Sequence, residues 1–128
     1  MVNALPFVRQ TQVRHSLEIC GELLSNAGNV LIIFPEGTRS RTGDLQEFKG
    51  GIGVLVAGRD VPVLPCYLDG AFRAWPKGSR FPRPRKVRLI VGEPLNFARV
   101  VPDRSSSAAI AAELQFAVQE LAKQNEDL

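Results

Sequence analysis

The sequence predicts an α/β fold, a mixed sheet with helices packed on it. Three observations lead there. Apolar residues keep helical spacing in the first and last quarters of the chain. Between them lie apolar, β-branched runs too short to be helices. Gly- and Pro-rich stretches separate these runs. The chain has 128 residues, 45% apolar and 23% charged, which suits a globular chain with one core. Residues 1–128 are expected to form a single domain.

Val13, Leu17, Cys20 and Leu24 fall on one helical face, widened by Ile19 and Leu23. Thr11 is the expected N-cap, and Gly28 sits where such a helix ends. Val30 to Phe34 is wholly apolar and reads as a buried strand stopped by Pro35. Glu36 to Glu47 is a polar loop. Gly50 to Gly58 can form a short helix, although its glycines weaken it. Val61 to Leu68 reads as a second buried strand, at an edge or irregular because of Pro62 and Pro65. Asp69 to Pro84 reads as loop. Val87, Leu89 and Val91 alternate with Arg88 and Ile90 in a third strand. Asp103 or one of Ser105 to Ser107 caps a last helix, about 105–124, with Ile110, Leu114, Ala117, Val118 and Leu121 inward. Gln124 to Leu128 is expected to fray.

The net charge of +3 is unevenly placed. Arg73, Lys77, Arg80, Arg83, Arg85, Lys86 and Arg88 form one segment without an acid. The remainder is net acidic. That disfavours a distributed nucleic-acid surface and allows a local patch facing anions, such as a membrane surface. Trp75, Phe72 and Phe81 are interleaved with these cations, either at an interface or tucked into the core. Cys20 and Cys66 make no CxxC pattern, so no metal site or disulfide is expected and both thiols read as buried. No apolar run approaches the roughly 20 residues of a spanning helix. Met1 to Arg9 lacks the apolar stretch of a signal peptide. A cytoplasmic location, peripheral to the inner face of the membrane, is the resulting expectation.

The stretch that carries chemistry is Phe34-Pro35-Glu36-Gly37-Thr38-Arg39-Ser40. It places a Gly, two hydroxyls and an Arg beyond the carboxyl end of a strand, where α/β proteins bind ligands. Gly37 lets a backbone approach an anion, and the Arg39 fork suits a phosphate or carboxylate. Arg41 and Lys49 are near in sequence. The alternative is a polar loop in which Glu36 merely pairs with or orients an arginine.

These residues resemble the signature block of the glycerolipid acyltransferases, the lysophosphatidic acid acyltransferase family. Asn3-Ala4-Leu5-Pro6-Phe7-Val8-Arg9 resembles the preceding block, and Phe48-Lys49-Gly50-Gly51 the stretch that follows. Val61-Pro62-Val63-Leu64-Pro65-Cys66-Tyr67 resembles the last, proline-containing block, and Gly92-Glu93-Pro94-Leu95 the usual strand ending. The resemblance implies transfer of a fatty acyl group to the hydroxyl of a phosphorylated lysolipid. The donor would be acyl-CoA or acyl-carrier protein, with no cofactor. It also implies that Arg9, Glu36, Gly37, Thr38, Arg39 and Ser40 form the acceptor site.

In that family a His, with an Asp five positions later, does the proton chemistry upstream of the block ending in Arg9. The sole histidine here, His15, lies downstream of it, and position 20 is Cys20. No HxxxxD, GxSxG elbow or P-loop occurs in this sequence, so it offers no catalytic residue. Three accounts stand: the C-terminal part of a longer acyltransferase with an incomplete glycerolphosphate acyltransferase fold, a non-catalytic lipid-binding relative, or a chain complemented by another. A sheet left partly uncovered would favour association.

Overall fold

A computed structural model describes residues 13–127. Thr11 and the block ending in Arg9 lie outside the described residues. Helix α1 spans Val13–Leu24, and its apolar face meets the core through Leu17, Cys20 and Leu24. The turn after it closes with Gly28 at φ 88°. The glycine-rich segment forms α2, Gly51–Val56, with Leu55 and Val56 buried. Strand β1 is Cys66–Asp69 and β2 is Arg88–Val91. Between them Ala71–Ala74 makes a one-turn helix, α3, inside what reads from sequence as plain loop. The long helix α4 runs Arg104–Glu126, two residues past the point where fraying was expected.

Asp103 begins α4 with a capping box. Its carboxylate accepts from Ser106 N at 2.7 Å, and Ser106 Oγ accepts from Asp103 N at 3.0 Å. Ser107, Ile110, Ala111, Leu114, Val118 and Leu121 form the buried stripe of this helix. It covers α2 and one face of the sheet. Phe48 and Phe97 complete the core from loops. At the crossing of α2 and α4, a Cβ on Gly53 would fall on the Ser107 backbone, so only glycine permits this approach.

The sheet corrects two expectations. Among the described residues it is a two-stranded antiparallel ladder, Cys66 opposite Val91 and Asp69 opposite Arg88, rather than a mixed sheet. Val30 to Phe34 is not a strand here, because no partner for its backbone exists among the described residues. Nor is it buried on both sides. Leu31 and Ile33 pack on the core, while Val30, Ile32 and Phe34 are 89, 79 and 70% exposed.

Val61 to Leu68 is likewise covered on one side only, and its regular part starts after the prolines. An isolated bridge joins Val63 to Leu95 beyond the ladder. The ladder register puts Leu64 alone opposite both Glu93 and Pro94, a bulge of one residue. The face of the sheet away from α4 carries Leu68, Leu89 and Val91 in the open. Cys66 lies on that face and is exposed, contrary to the expectation of two buried thiols. Cys20 is wholly buried, and desolvation raises its thiol pKa.

Gly53→Ala should destabilise the chain by about 1–3 kcal/mol, because α2 and α4 must separate to admit a methyl group. Chemical denaturation measures this directly. Gly50→Ala, where a Cβ meets nothing within 4 Å, should be tolerated.

Candidate functional site

The signature residues sit on a loop closed at its base. Lys49 N donates to the Pro35 carbonyl at 2.8 Å, which brings the two ends of the 35–49 loop together. Pro35 cannot donate, so its carbonyl is its one backbone contribution to this closure. The preceding turn is tied by Gly37 N donating to Phe34 O at 3.1 Å, with Gly37 at φ 72°. A side chain there would carry the strain of a left-handed backbone. The Lys49 stem lies alongside Gly37. One residue earlier, Phe48 N donates to Gln115 Oε1 of α4 at 2.9 Å, and the Phe48 ring is buried.

Hydrogen bonds inside the loop place each expected residue. Glu36 Oε2 accepts from Gln46 N at 2.7 Å, across the loop. Glu36 therefore holds backbone, and it pairs with no arginine among the described residues. Ser40 Oγ accepts from Gly43 N at 2.8 Å and Thr42 N at 3.3 Å, which shapes the tip. Thr42 Oγ1 donates to Asp44 at 2.8 Å. Gly37, Thr38 and Arg39 remain exposed at the surface.

Arg39 and Thr38 lean on a segment distant in sequence. The Arg39 guanidinium stacks over the Trp75 ring, 5.1 Å from its centroid, and donates to the Trp75 carbonyl. Lys77 Nζ donates to Thr38 Oγ1 at 3.1 Å. The start of the basic segment thus lies against the signature loop. Phe72, from the same segment, packs on Gly43 of the loop tip. Phe81 stays 75% exposed. Sequence reasoning finds the seven cations but not this contact, because nothing in their spacing refers to residues 38 and 39.

Among the described residues, no carboxylate comes within 4.0 Å of Arg39, Arg41, Lys49, Lys77 or any other cation of 73–88. These cations are held in no ion pair among the described residues. The side-chain groups the site presents include guanidinium, ammonium and hydroxyl donors. No cluster of metal-binding side chains occurs among the described residues. His15 is exposed on α1, 3.9 Å from Glu18. A shallow concavity lined by Asp60, Asn96, Ala98, Arg99 and Val100 shares no residue with this site. Arg9 lies outside the described residues.

The Acyltransferase family model matches residues 1–69, more than half the chain and all of the signature loop. This chain belongs to the acyltransferase family. Its relatives include a 1-acyl-sn-glycerol-3-phosphate acyltransferase of Limnanthes douglasii, 42% identical over 66 residues. That alignment covers 52% of this chain and 24% of the relative. The enzyme of that name from Cocos nucifera is 42% identical over 65 residues, covering 51% of this chain and 21% of the relative. The one from Bacillus subtilis aligns over 122 residues at 28% identity, covering 94% of this chain and 58% of the relative. The chain thus spans about a quarter of the plant relatives' length. No solved structure matches the chain.

Within this acyltransferase loop, Glu36→Ala should leave the Gln46 amide without its acceptor. Local opening should become easier by about 1–3 kcal/mol. Hydrogen exchange at Gln46 should then accelerate while exchange in α4 stays slow. Glu36→Gln, which keeps an acceptor oxygen, should largely restore protection.

Proposed function

We propose that this chain binds the phosphate of a phosphorylated glycerolipid acceptor in an acyltransferase of phospholipid biosynthesis. Its role is to hold that acceptor while a fatty acyl group passes from acyl-CoA or acyl-carrier protein to the acceptor's hydroxyl. The observation that carries this reading is the exposed Thr38–Arg39 pair on a loop closed at Pro35 and Lys49, with no carboxylate within 4.0 Å of Arg39 among the described residues. Family membership and the names of its relatives agree with it.

Each residue has a definite part. Arg39 presents its remaining N–H donors to phosphate oxygens, and Thr38 its O–H. Gly37 keeps the approach open. Glu36 and Ser40 act through the loop they brace. Arg9 joins them in this reading as a second guanidinium.

The chain itself carries no His–Asp pair at the spacing this chemistry uses. Removal of a general base alone lowers a rate by roughly 10²–10⁴. We therefore read the chain as one domain-forming portion of the glycerolphosphate acyltransferase fold, competent to bind and inactive by itself. Its place is the cytoplasmic side of a membrane, at the inner face.

A second reading, a non-catalytic protein on an anionic membrane, draws on the cations of 73–88, which form no ion pair among the described residues, and on exposed Phe81. No helix among the described residues is long and apolar enough to cross a membrane. The cations would add about 1 kcal/mol each near an anionic surface.

Titration with lysophosphatidic acid in neutral micelles separates the two. Arg39→Ala should weaken binding roughly 10- to 100-fold, as loss of a charge-assisted contact does. Unaltered binding in that variant would remove Arg39 from the site. In co-sedimentation, salt-sensitive binding to anionic vesicles that survives Arg39→Ala would instead favour the membrane-surface reading.

A further inference from the structure

The contact between Lys77 and Thr38 joins two features that the sequence keeps apart, the signature loop and the basic segment. Lys77 is held for this contact by its own loop. Ser79 N donates to the Pro76 carbonyl at 3.1 Å, closing a turn with Lys77 and Gly78 at its centre. Gly78 has φ 93°, the left-handed conformation that the third position of a type II turn requires.

Trp75 Nε1 donates to Ser79 O at 3.1 Å, which locks the indole against the same turn. Arg83 N donates to Ala74 O at 2.7 Å and closes the wider loop. Arg39 then stacks on that indole. The turn therefore positions Arg39 through Trp75 and adds an ammonium beside Thr38.

The donor inventory at this spot is lopsided. Lys77 has three N–H donors and gives one to Thr38 Oγ1. Because Thr38 accepts that bond, its own O–H is free to point outward. Arg39 gives a donor to the Trp75 carbonyl and keeps others. No carboxylate lies within 4.0 Å of either cation among the described residues. Three side chains of one neighbourhood thus keep surplus donors, a donor set suited to a phosphate monoester dianion.

We propose that Lys77 is a further phosphate-binding residue of this site, and that the 75–79 turn is the outer wall of the acceptor subsite. This rests on the reading of the signature loop as a phosphate site and extends it to residues beyond the loop. The ligand chemistry is a phosphate monoester, offered either by soluble sn-glycerol 3-phosphate or by a lysophosphatidic acid headgroup. A bound phosphate oxygen takes up the remaining donors of Lys77 and Thr38.

Calorimetric titration of the 128-residue chain tests this, with two probes. One is sn-glycerol 3-phosphate in solution, and the other is 1-acyl lysophosphatidic acid in neutral detergent micelles. Lys77→Ala should weaken both about tenfold, the loss expected for one charge-assisted contact, and Lys77→Arg should recover most of it. Lys86→Ala removes the same charge from the same segment and should change neither.

Trp75 is the chain's single tryptophan, so its fluorescence should respond to either ligand in the wild type. An affinity unchanged by Lys77→Ala, alongside a loss in Arg39→Ala, would overturn the role of Lys77 and leave the phosphate site standing. Equal losses in Lys77→Ala and Lys86→Ala would overturn it as mere general charge. A loss confined to the micellar probe would overturn it in favour of a surface contact. Failure of the wild type to bind either probe would remove the site and the proposal together.

Discussion

The hydrogen bond from the Phe48 amide to Gln115 Oε1 is the constraint on which the site depends. It ties the exit of the signature loop to the middle of α4, and the buried Phe48 ring fixes the same point from the core side. The next residue, Lys49, closes the loop base on Pro35. Two adjacent residues therefore couple a largely polar, fifteen-residue excursion to the longest described helix, which lines the core. Without them, Gly37, Thr38 and Arg39 would belong to a free loop, and the entropy of ordering them would fall on any ligand.

A similar economy governs the basic segment. Its cations repel one another, and none is held in an ion pair among the described residues. What orders its first part is neutral chemistry: backbone bonds around Gly78, the Trp75 indole against Ser79, and the Arg39 face on that indole. The aromatic ring lets two like-charged stretches approach, since its π face attracts the guanidinium while its N–H serves the turn.

Helices were the most legible part of the sequence. α1, α2 and α4 follow from local spacing, and Asp103 starts α4 as its side-chain chemistry dictates. The strands were harder, because an apolar run reports burial but not the partner it needs. Val30 to Phe34 has the composition of a buried strand, yet only Leu31 and Ile33 find the core. The one-turn α3 was hidden by the Gly, Pro and Arg content around it. At the site, the motif residues were readable one by one. Two of their contacts were not: Glu36 holds the Gln46 amide, and Lys77 meets Thr38. Both join positions ten or more apart with no periodic pattern between them.

The bulge opposite Leu64 has a consequence for parity. Along β2, Ile90 faces the core and Val91 faces out, so strict alternation would send Leu95 outward. The extra residue at Glu93–Pro94 reverses the phase, and Leu95 turns inward to meet Val63 and the core. The hydrophobic pattern from 87 to 95 is thus two correct half-messages in opposite phase, joined at a proline that cannot donate to either. Removing a single residue there would leave the composition almost unchanged and turn Leu95 out into water.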